Sequence, residues 1–159
     1  MAWNSYTNIS DAAKWLRRKV ELIEEKQQLI SKHNRKSTCL QIYRGGIFDC
    51  ELGLDNIGCE KNKTRPVLVL SNNCLNKGHT VVIVPLSTKF ERKMDSGIAK
   101  YNNHYLLKKE DYPFLDTDSV VKFEDIRSVD VIRLRSLRGN IQKSDMDRMK
   151  RNLIFTCGY

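Results

Sequence analysis

The sequence predicts a mainly β fold with helices: a small β-barrel or β-sandwich that follows a long amphipathic helix and is closed by a C-terminal helix. From Leu40 onward, the apolar residues change from helical spacing to short runs rich in β-branched residues. Short runs at close spacing are typical of a sandwich or barrel rather than of βαβ units. The chain of 159 residues, 40% of them hydrophobic, is long enough for one good core. We therefore predict a helix with a basic link over residues 1–38 and a β domain over residues 39–159.

The N-terminal helix is predicted by an apolar seam whose members are alternately four and three residues apart. Further apolar residues flank the seam on one side, so a wide apolar surface needs a partner. Two arrangements fit this pattern: the helix packs on its own domain, or it pairs with a second copy or another protein. A glutamine in the seam favours a defined register in the paired case. The seam consists of Ile9, Ala13, Leu16, Val20, Ile23, Gln27 and Ile30, and the flank of Ala12, Trp15, Leu22 and Leu29.

The clearest strands are two apolar runs joined by a polar loop, Thr64–Asn72 and Thr80–Thr88. Antiparallel pairing of these runs brings Arg65, at the start of the first, and Ser87, at the end of the second, to the same rim of the sheet. A guanidinium beside hydroxyl groups is suited to holding a phosphate. Other strands are predicted at Cys39–Tyr43, Ile47–Leu52, His104–Leu107, Ser119–Arg127 and Ser128–Arg133, and the closing helix at Ser144–Thr156.

The chain is basic, with 28 Lys and Arg against 19 Asp and Glu and a formal net charge of +9. Each Lys or Arg placed near a phosphate chain releases condensed counterions and adds affinity that does not depend on sequence. A polyanionic partner is therefore expected, although charge alone does not separate a nucleic acid from a membrane surface.

The five cysteines, Cys39, Cys50, Cys59, Cys74 and Cys157, are odd in number and show no C-x-x-C spacing. This pattern argues against a disulfide framework and against a zinc ribbon. We expect reduced thiols that are mostly buried, with Cys59 as the exception because it lies in a polar loop. No metal ion and no cofactor is expected.

No apolar run reaches the roughly 18 residues that a membrane span needs. The first residues also lack the basic start and apolar segment of a secretion signal. A cytoplasmic protein without a membrane partner is expected.

Six short motifs, in order along residues 42–156, resemble the MazF/PemK toxin family. None of them is specific alone, but the ordered set is. They are Arg44–Phe48 (Arg-Gly-Gly-Ile-Phe), Gly58–Glu60, Thr64–Asn72, Val81–Thr88, Asp118–Val121 and Glu124–Asp130. The resemblance implies a homodimer with an SH3-like barrel that cleaves single-stranded mRNA at specific sequences as a metal-independent endoribonuclease and is neutralised by a cognate antitoxin. The barrel alone does not give this function, because gyrase-poisoning toxins of the CcdB type share it. A non-catalytic toxin or an RNA-binding module is therefore the alternative.

Metal-free RNA cleavage needs a base for the 2′-hydroxyl proton, an acid for the departing 5′-oxygen, and positive charge on the phosphate, and it leaves a 2′,3′-cyclic phosphate and a 5′-hydroxyl end. Arg65 fits the charge role because its guanidinium stays ionised and presents a planar fork. The resemblance implies that Arg65 and Ser87 are the catalytic pair, with Ser87 where the family has Thr. Thr88 is the neighbouring hydroxyl. For Ser87, the structural alternative is a hydroxyl that only bonds to backbone at a strand end.

Two carboxylates complete the predicted catalytic set. Glu60 matches the family's loop Glu, and Glu124 matches a carboxylate that acts as base in the Kid member of the family. The loop after Glu60 departs from the family, because Lys61, Asn62 and Lys63 stand where many members have Gln and Gly.

The resemblance also implies a set of residues near the RNA bases, and the two loop lysines add positive charge there. His104 is also a possible acid or base, because the ordinary pKa of histidine lies near 6.5; the structural alternative is a solvated histidine at a strand edge. The predicted RNA-binding residues are Thr88, Asn103, His104, Ser119, Asp125, Lys61 and Lys63.

Overall fold

The computed structural model of the chain describes residues 9–32, 40–54, 56–93 and 98–159. Most of the predicted basic link, residues 33–38, lies outside these ranges. The helices are α1 (Ile9–Lys32), α2 (Lys143–Arg148) and α3 (Lys150–Cys157). The strands are β1 (Gly46–Glu51), β2 (Thr64–Val69), β3 (Thr80–Ser87), β4 (His104–Leu107), β5 (Ser119–Lys122), β6 (Arg127–Asp130) and β7 (Leu134–Asn140).

The seven strands form one antiparallel sheet in the order β4-β5-β3-β2-β1-β7, with β6 beside β3. Strand β3 changes partner along its length: Thr80–Ile83 pair with β6, whereas Leu86 and Ser87 pair with β5. A short 3-10 turn, Phe123–Asp125, joins β5 to β6 at this change of partner. The prediction of a mainly β fold with a helix at each end is confirmed. The predicted SH3-like barrel is not closed, because among the described residues β4 and β7 end the path of paired strands.

The central strands are buried on both faces, which explains why their sequences are continuous apolar runs rather than alternating ones. Val67 and Ile83 pack in one cluster, whereas their neighbours Leu68 and Val84 pack in another on the opposite side of the sheet. The second cluster also contains Met149 of the C-terminal segment, as expected for a core methionine.

The cysteine prediction is confirmed only for some residues. Cys50 is fully buried, and burial raises the pKa of its thiol to about 12, so it is an unreactive core residue. Cys59 is exposed, as predicted. Cys74 and Cys157 are exposed too, so the expectation that they are buried is wrong. Cys39 lies outside the described residues.

Helix α1 packs on its own β domain through its flank and not through its seam. Trp15 and Leu22 are each only 4% exposed and pack against Ile132. In contrast, Leu16 and Ile23 of the seam are 64% and 57% exposed. The flank of α1 therefore packs on the β domain of the same chain. The seam remains uncovered.

A network of ion pairs holds α1 to strands β1 and β7. Arg18 donates two hydrogen bonds to the carboxylate of Glu51, from Nε at 2.8 Å and from Nη2 at 3.0 Å. Arg135 also donates to Glu51, and both arginines donate to Glu25. Burial by itself raises the pKa of Glu51 and of Glu25, but the hydrogen bonds from the two arginines outweigh it, so both carboxyl groups have lowered pKa values.

Several elements differ from the sequence prediction. The predicted strand Ser119–Arg127 is strand β5, which ends at Lys122, followed by the 3-10 turn, and the predicted strand Ser128–Arg133 turns into a 3-10 helix after Asp130. Residues 40–43 do not form a strand. Strand β7 was not predicted, because it is an edge strand held by pairing with β1 and by ion pairs such as Arg138 to Asp49 rather than by alternating apolar residues. The single predicted C-terminal helix is interrupted at Met149. None of the described helices is long and apolar enough to cross a membrane.

Candidate active site

The rim that holds Arg65 and Ser87 forms by the strand pairing that the sequence suggested. Strands β2 and β3 pair with Val67 opposite Pro85 and Val69 opposite Ile83. Val67 and Pro85 are the last pair at this end, and Arg65 and Ser87 each lie two residues beyond it along their strands. The two predicted catalytic residues therefore lie at the same end of the strand pair.

Arg65 is partly buried at the start of β2. Its Nε donates a hydrogen bond to the carbonyl oxygen of Asn62 at 2.7 Å. This bond fixes the plane of the guanidinium against the loop that precedes the strand. A fixed, permanently charged fork is the arrangement that recognises a phosphate.

The Ser87 hydroxyl is buried and bonded to nearby backbone. The residue is 8% exposed, and Oγ accepts a hydrogen bond from Lys89 N and donates one to Lys89 O, both at 3.2 Å. This is the strand-end bonding named above as the structural alternative. The adjacent Thr88 is exposed.

The carboxylate of Glu124 is the centre of a second polar group, on the 3-10 turn between β5 and β6. Asn103 Nδ2 donates to its Oε2 at 2.7 Å, and His104 Nε2 lies 2.8 Å from its Oε1. The Glu124 side chain is 41% exposed, whereas the His104 side chain is 5% exposed. Two donors therefore orient a carboxylate that still reaches solvent.

His104 is buried, so the alternative of a merely solvated histidine is wrong. The ring of Tyr101 packs edge-on against it, with 5.3 Å between the ring centroids. Its Nδ1 is buried and has no hydrogen-bond partner. Because Glu124 accepts at Nε2, we assign the ring proton of the neutral imidazole to Nε2.

The loop before β2 carries the remaining predicted catalytic carboxylate. Glu60 is exposed, and its Oε2 accepts a long hydrogen bond of 3.4 Å from the backbone of Ile57. The next residue, Lys61, forms an ion pair with Asp125, with 3.2 Å between Nζ and Oδ2. Both side chains are largely buried, at 20% and 17% exposed. This pair joins the loop next to Arg65 to the turn that holds Glu124.

Lys63 has a left-handed backbone, with φ of +64°. Its N–H donates to Gly53 O, and its carbonyl accepts from Leu52 N. Glycine adopts this conformation more easily than lysine does. The position therefore explains in physical terms why a glycine suits this part of the loop. The Lys63 side chain is exposed.

Ser119 lies apart from the His104 group. In the β4–β5 pair, Ser119 is opposite Leu107, whereas His104 is opposite Lys122. Three residues of strand separate the two ends, about 10 Å. Ser119 lies instead at the end of β5 where Val120 pairs with Ser87, and its Oγ donates to Thr117 O at 3.1 Å.

An open groove of about 690 Å³ runs past His104, between β4 and the C-terminal helices. Apart from His104, its residues were not predicted from the sequence, because they are scattered over three segments and follow no motif. In retrospect, the basic and aromatic residues of α2 and α3 are the sequence signal for part of this groove. The groove includes Lys93, Tyr101, Lys108, Arg148, Arg151 and Phe155.

No group of three or more His, Cys, Asp or Glu residues that could hold a metal ion is found in the described part of the chain. Near His104, the Glu124 carboxylate accepts from an amide donor, and Asp125 pairs with Lys61.

A family model described as a PemK-like, MazF-like toxin of a type II toxin-antitoxin system matches residues 43–156. The chain belongs to this toxin family. The match covers every strand from β1 to β7 and both groups of site residues. Helix α1 lies outside it.

Individual relatives of this MazF-like chain agree with the family assignment. A protein named endoribonuclease MazF from Staphylococcus epidermidis is 32% identical over 117 residues, which cover 74% of this chain and 92% of the relative. Among solved structures, MazF from Deinococcus radiodurans is similar with a TM-score of 0.58 and 20% identity, covering 76% of this chain and 99% of that one. An endoribonuclease in complex with its cognate antitoxin, from a mycobacterial species, has a TM-score of 0.54 and 21% identity, covering 74% and 95% of the two chains. These structural likenesses concern the fold.

Proposed function

We propose that this MazF-like toxin is a sequence-specific endoribonuclease that cleaves single-stranded mRNA without a metal ion. The products are a 2′,3′-cyclic phosphate and a 5′-hydroxyl end. A cognate antitoxin neutralises it in the cytoplasm, and the active form is a homodimer. The name of the S. epidermidis relative and the antitoxin complex of the mycobacterial relative support the enzymatic activity and the antitoxin.

The observation that carries the proposal is the oriented carboxylate of Glu124 in the family-matched segment. It accepts hydrogen bonds from Asn103 and His104 and remains 41% exposed. The Lys61–Asp125 ion pair links its turn to the loop that ends at Arg65. This ion pair thus connects the segment that carries the proposed base, Glu124, to the segment that carries the proposed phosphate-binding cation, Arg65.

In this mechanism, Glu124 removes the proton from the 2′-hydroxyl, and the 2′-oxygen attacks the adjacent phosphorus. The bond from phosphorus to the 5′-oxygen breaks, and the departing oxygen takes up a proton, for which Glu60 is the candidate donor. Arg65 stabilises the negative charge that grows on the non-bridging oxygens. His104 is a positioning residue, because its Nε2 holds Glu124 while the ring is almost fully buried.

The groove beside His104 suits a single strand of RNA. The rings of Tyr101 and Phe155 can stack on splayed bases, and Arg148 and Arg151 can neutralise phosphates. The net charge of +9 is consistent with this electrostatic contribution. We include these groove residues in the proposed RNA-binding set together with Asn103.

The test is cleavage of a long unstructured RNA by the purified full chain in EDTA. We expect cuts at a short preferred sequence and cyclic phosphate ends. Arg65→Ala is expected to lower the rate by at least about 100-fold, in the range seen when one charge-stabilising donor is removed. Arg17→Ala is the matched control, because Arg17 is an exposed arginine on α1. Uncut RNA, or equal cleavage by Arg65→Ala and wild type, contradicts the proposal.

Variants at Ser87 distinguish a catalytic role of its hydroxyl from a structural one. Ser87→Ala removes the two bonds to Lys89 and is expected to lower stability by about 1 kcal/mol. If the hydroxyl also holds phosphate, the variant loses at least about 10-fold in cleavage rate at a temperature where it is folded, and Ser87→Thr retains the rate. A stability loss with unchanged cleavage makes Ser87 structural only.

A further inference from the structure

Helix α1 presents two apolar faces, of which only one is covered. The buried residues Trp15 and Leu22 each precede a seam residue, Leu16 and Ile23, by one position. Successive residues of an α-helix are 100° apart around its axis. The seam therefore lies on a different face of the helix from the residues that contact the β domain, about 100° around the helix axis.

The uncovered seam is long and apolar. Its residues from Ile9 to Ile30 extend over about 30 Å of helix. Four of them are large hydrophobic side chains in contact with water. They are Ile9, Leu16, Val20 and Ile23, which are 87%, 64%, 49% and 57% exposed. An apolar stripe of this kind marks a protein interaction surface.

We propose that α1 pairs with α1 of a second copy of this chain as a parallel, in-register, two-stranded coiled coil. In heptad terms, Leu16 and Ile23 occupy d positions, and Val20 and Gln27 occupy a positions. Leu16 at d followed by Val20 at a is the combination that parallel dimers prefer, whereas Ile23 places a β-branched residue at d. In register, Gln27 meets Gln27 of the second copy, where a polar pair at a fixes alignment.

The charges beside the seam favour the parallel orientation. In a parallel pair, Lys19 at g lies next to Glu24 at e of the second copy, so two opposite-charge contacts form by symmetry. In an antiparallel pair, g positions meet g positions and e positions meet e positions, so the attraction of Arg17 for Glu24 of the second copy is offset by the repulsion between Lys19 and Lys26. Glu24 is exposed, and Lys19 Nζ lies 5.5 Å from the ring centroid of Trp15, at the edge of the seam.

The position of the β domains favours the same orientation. Each domain is attached to its helix about 100° around from the seam. A two-fold axis parallel to the helices places the two domains on opposite sides of the coil. In an antiparallel pair, the two-fold axis is perpendicular to the helices. Both β domains then lie on the same side of the coil, where they compete for space.

The pairing is independent of the proposed cleavage activity, because the seam lies outside residues 43–156 and contains none of the site residues. It is also separate from any contact between the β domains of a homodimer. Loss of RNA cleavage in the tests above leaves it unaffected.

Cysteine cross-linking of the full-length chain tests the orientation. In a variant whose Cys39, Cys59, Cys74 and Cys157 are replaced by Ser, we introduce Val20→Cys. Parallel pairing places position 20 next to itself, so mild oxidation is expected to give a disulfide-linked dimer in high yield. Glu21→Cys is the matched control, because this neighbouring position lies outside the seam, and it is expected to cross-link poorly. Equal yields from the two variants overturn the pairing. Efficient cross-linking only in a mixture of Val20→Cys and Ile23→Cys chains overturns the parallel register.

Sedimentation velocity over a dilution series tests the surface itself. Leu16→Ser with Ile23→Ser is expected to weaken self-association at least about 10-fold, since four apolar side chains leave the interface of each dimer. The far-ultraviolet circular dichroism spectrum should stay that of a folded chain, because both positions are exposed. Lys19→Glu is expected to weaken association and the Lys19→Glu/Glu24→Lys swap to restore it. An unchanged mass distribution in the Leu16→Ser/Ile23→Ser variant overturns the pairing. This is also the result expected if α1 binds a different protein instead of a second copy.

Discussion

His104 Nε2 and Glu124 Oε1 are 2.8 Å apart, and the histidine is almost fully buried while the carboxylate reaches solvent. The contact connects the start of β4 to the 3-10 turn between β5 and β6. A buried donor thus fixes the direction of an exposed acceptor. In the proposed mechanism this contact determines where the base points.

Replacing His104 tests its positioning role. His104→Ala is expected to lower kcat by about 10-fold or more with little change in KM, because the base loses a fixed donor but the RNA contacts stay. His104→Gln is expected to recover most of the loss, since the glutamine amide can donate from the position of Nε2. Steady-state cleavage of a short RNA containing the preferred sequence measures both. A glutamine variant as slow as the alanine variant argues against positioning by this hydrogen bond.

The Lys61–Asp125 ion pair is expected to contribute to stability as a coupled unit. Lys61→Met leaves the buried Asp125 Oδ2, which has no hydrogen-bond partner, without its neighbouring cation. We expect it to lower the free energy of unfolding by about 1–2 kcal/mol, because an unpaired buried charge is costly. Lys61→Met/Asp125→Asn should lower it by less than the sum of the single changes. Urea unfolding of the four proteins gives the coupling, and purely additive values contradict it.

Lys63→Gly is expected to raise the free energy of unfolding by about 0.5–1 kcal/mol. Relief of the left-handed conformation is worth roughly 1–2 kcal/mol, and the greater backbone freedom of glycine in the unfolded chain offsets roughly 0.5–1 kcal/mol of it. Lys63→Val is the matched comparison and should destabilise, because a β-branched residue tolerates positive φ poorly. Chemical denaturation measures both. A destabilised glycine variant contradicts this account of the loop.

Acid is expected to weaken the attachment of α1. The pKa values of Glu51 and Glu25 are lowered in the folded chain from an ordinary value of 4.5, so the unfolded chain binds more protons in acid. The stabilisation that the two carboxylates contribute is therefore fully present above pH 4.5. It is lost as the pH falls through their lowered pKa values. Fluorescence of the buried Trp15, in a chain with Trp3→Phe, reports the change. Glu51→Gln should flatten this pH dependence, and an equally steep fall in that variant contradicts the assignment.

The sequence predicted those parts of the fold that local pattern determines. The antiparallel pairing of β2 with β3 follows from two apolar runs and a loop, and it places Arg65 and Ser87 at the same end of the strand pair. Strand β7 was missed because Arg135 and Arg138 stabilise it through ion pairs with residues distant in sequence. Such long-range pairing leaves no periodic signal.

The site shows the same division. The identities of Glu124 and Asp125 could be anticipated from the motif, but the burial of His104 and the Lys61–Asp125 pair depend on how β5 turns into β6 beside β3. The faces of α1 were also ambiguous, because the wider apolar surface contains both Trp15 and Leu16. Only packing determines which of two neighbouring apolar residues meets the β domain.

Glu51 and Arg135 lie inside the family-matched segment, but Arg18, the other arginine that pairs with the Glu51 carboxylate, lies outside it. A relative that acquired this glutamate without Arg18 would bury a carboxylate with fewer donors, and one that acquired the helix without the glutamate would leave Arg18 beside Arg135 with less compensating charge. Each change alone is unfavourable, whereas both together are compatible. Position 51 and the helix are therefore expected to be inherited as a pair, and the residue at this position in other members should indicate whether such a helix precedes it.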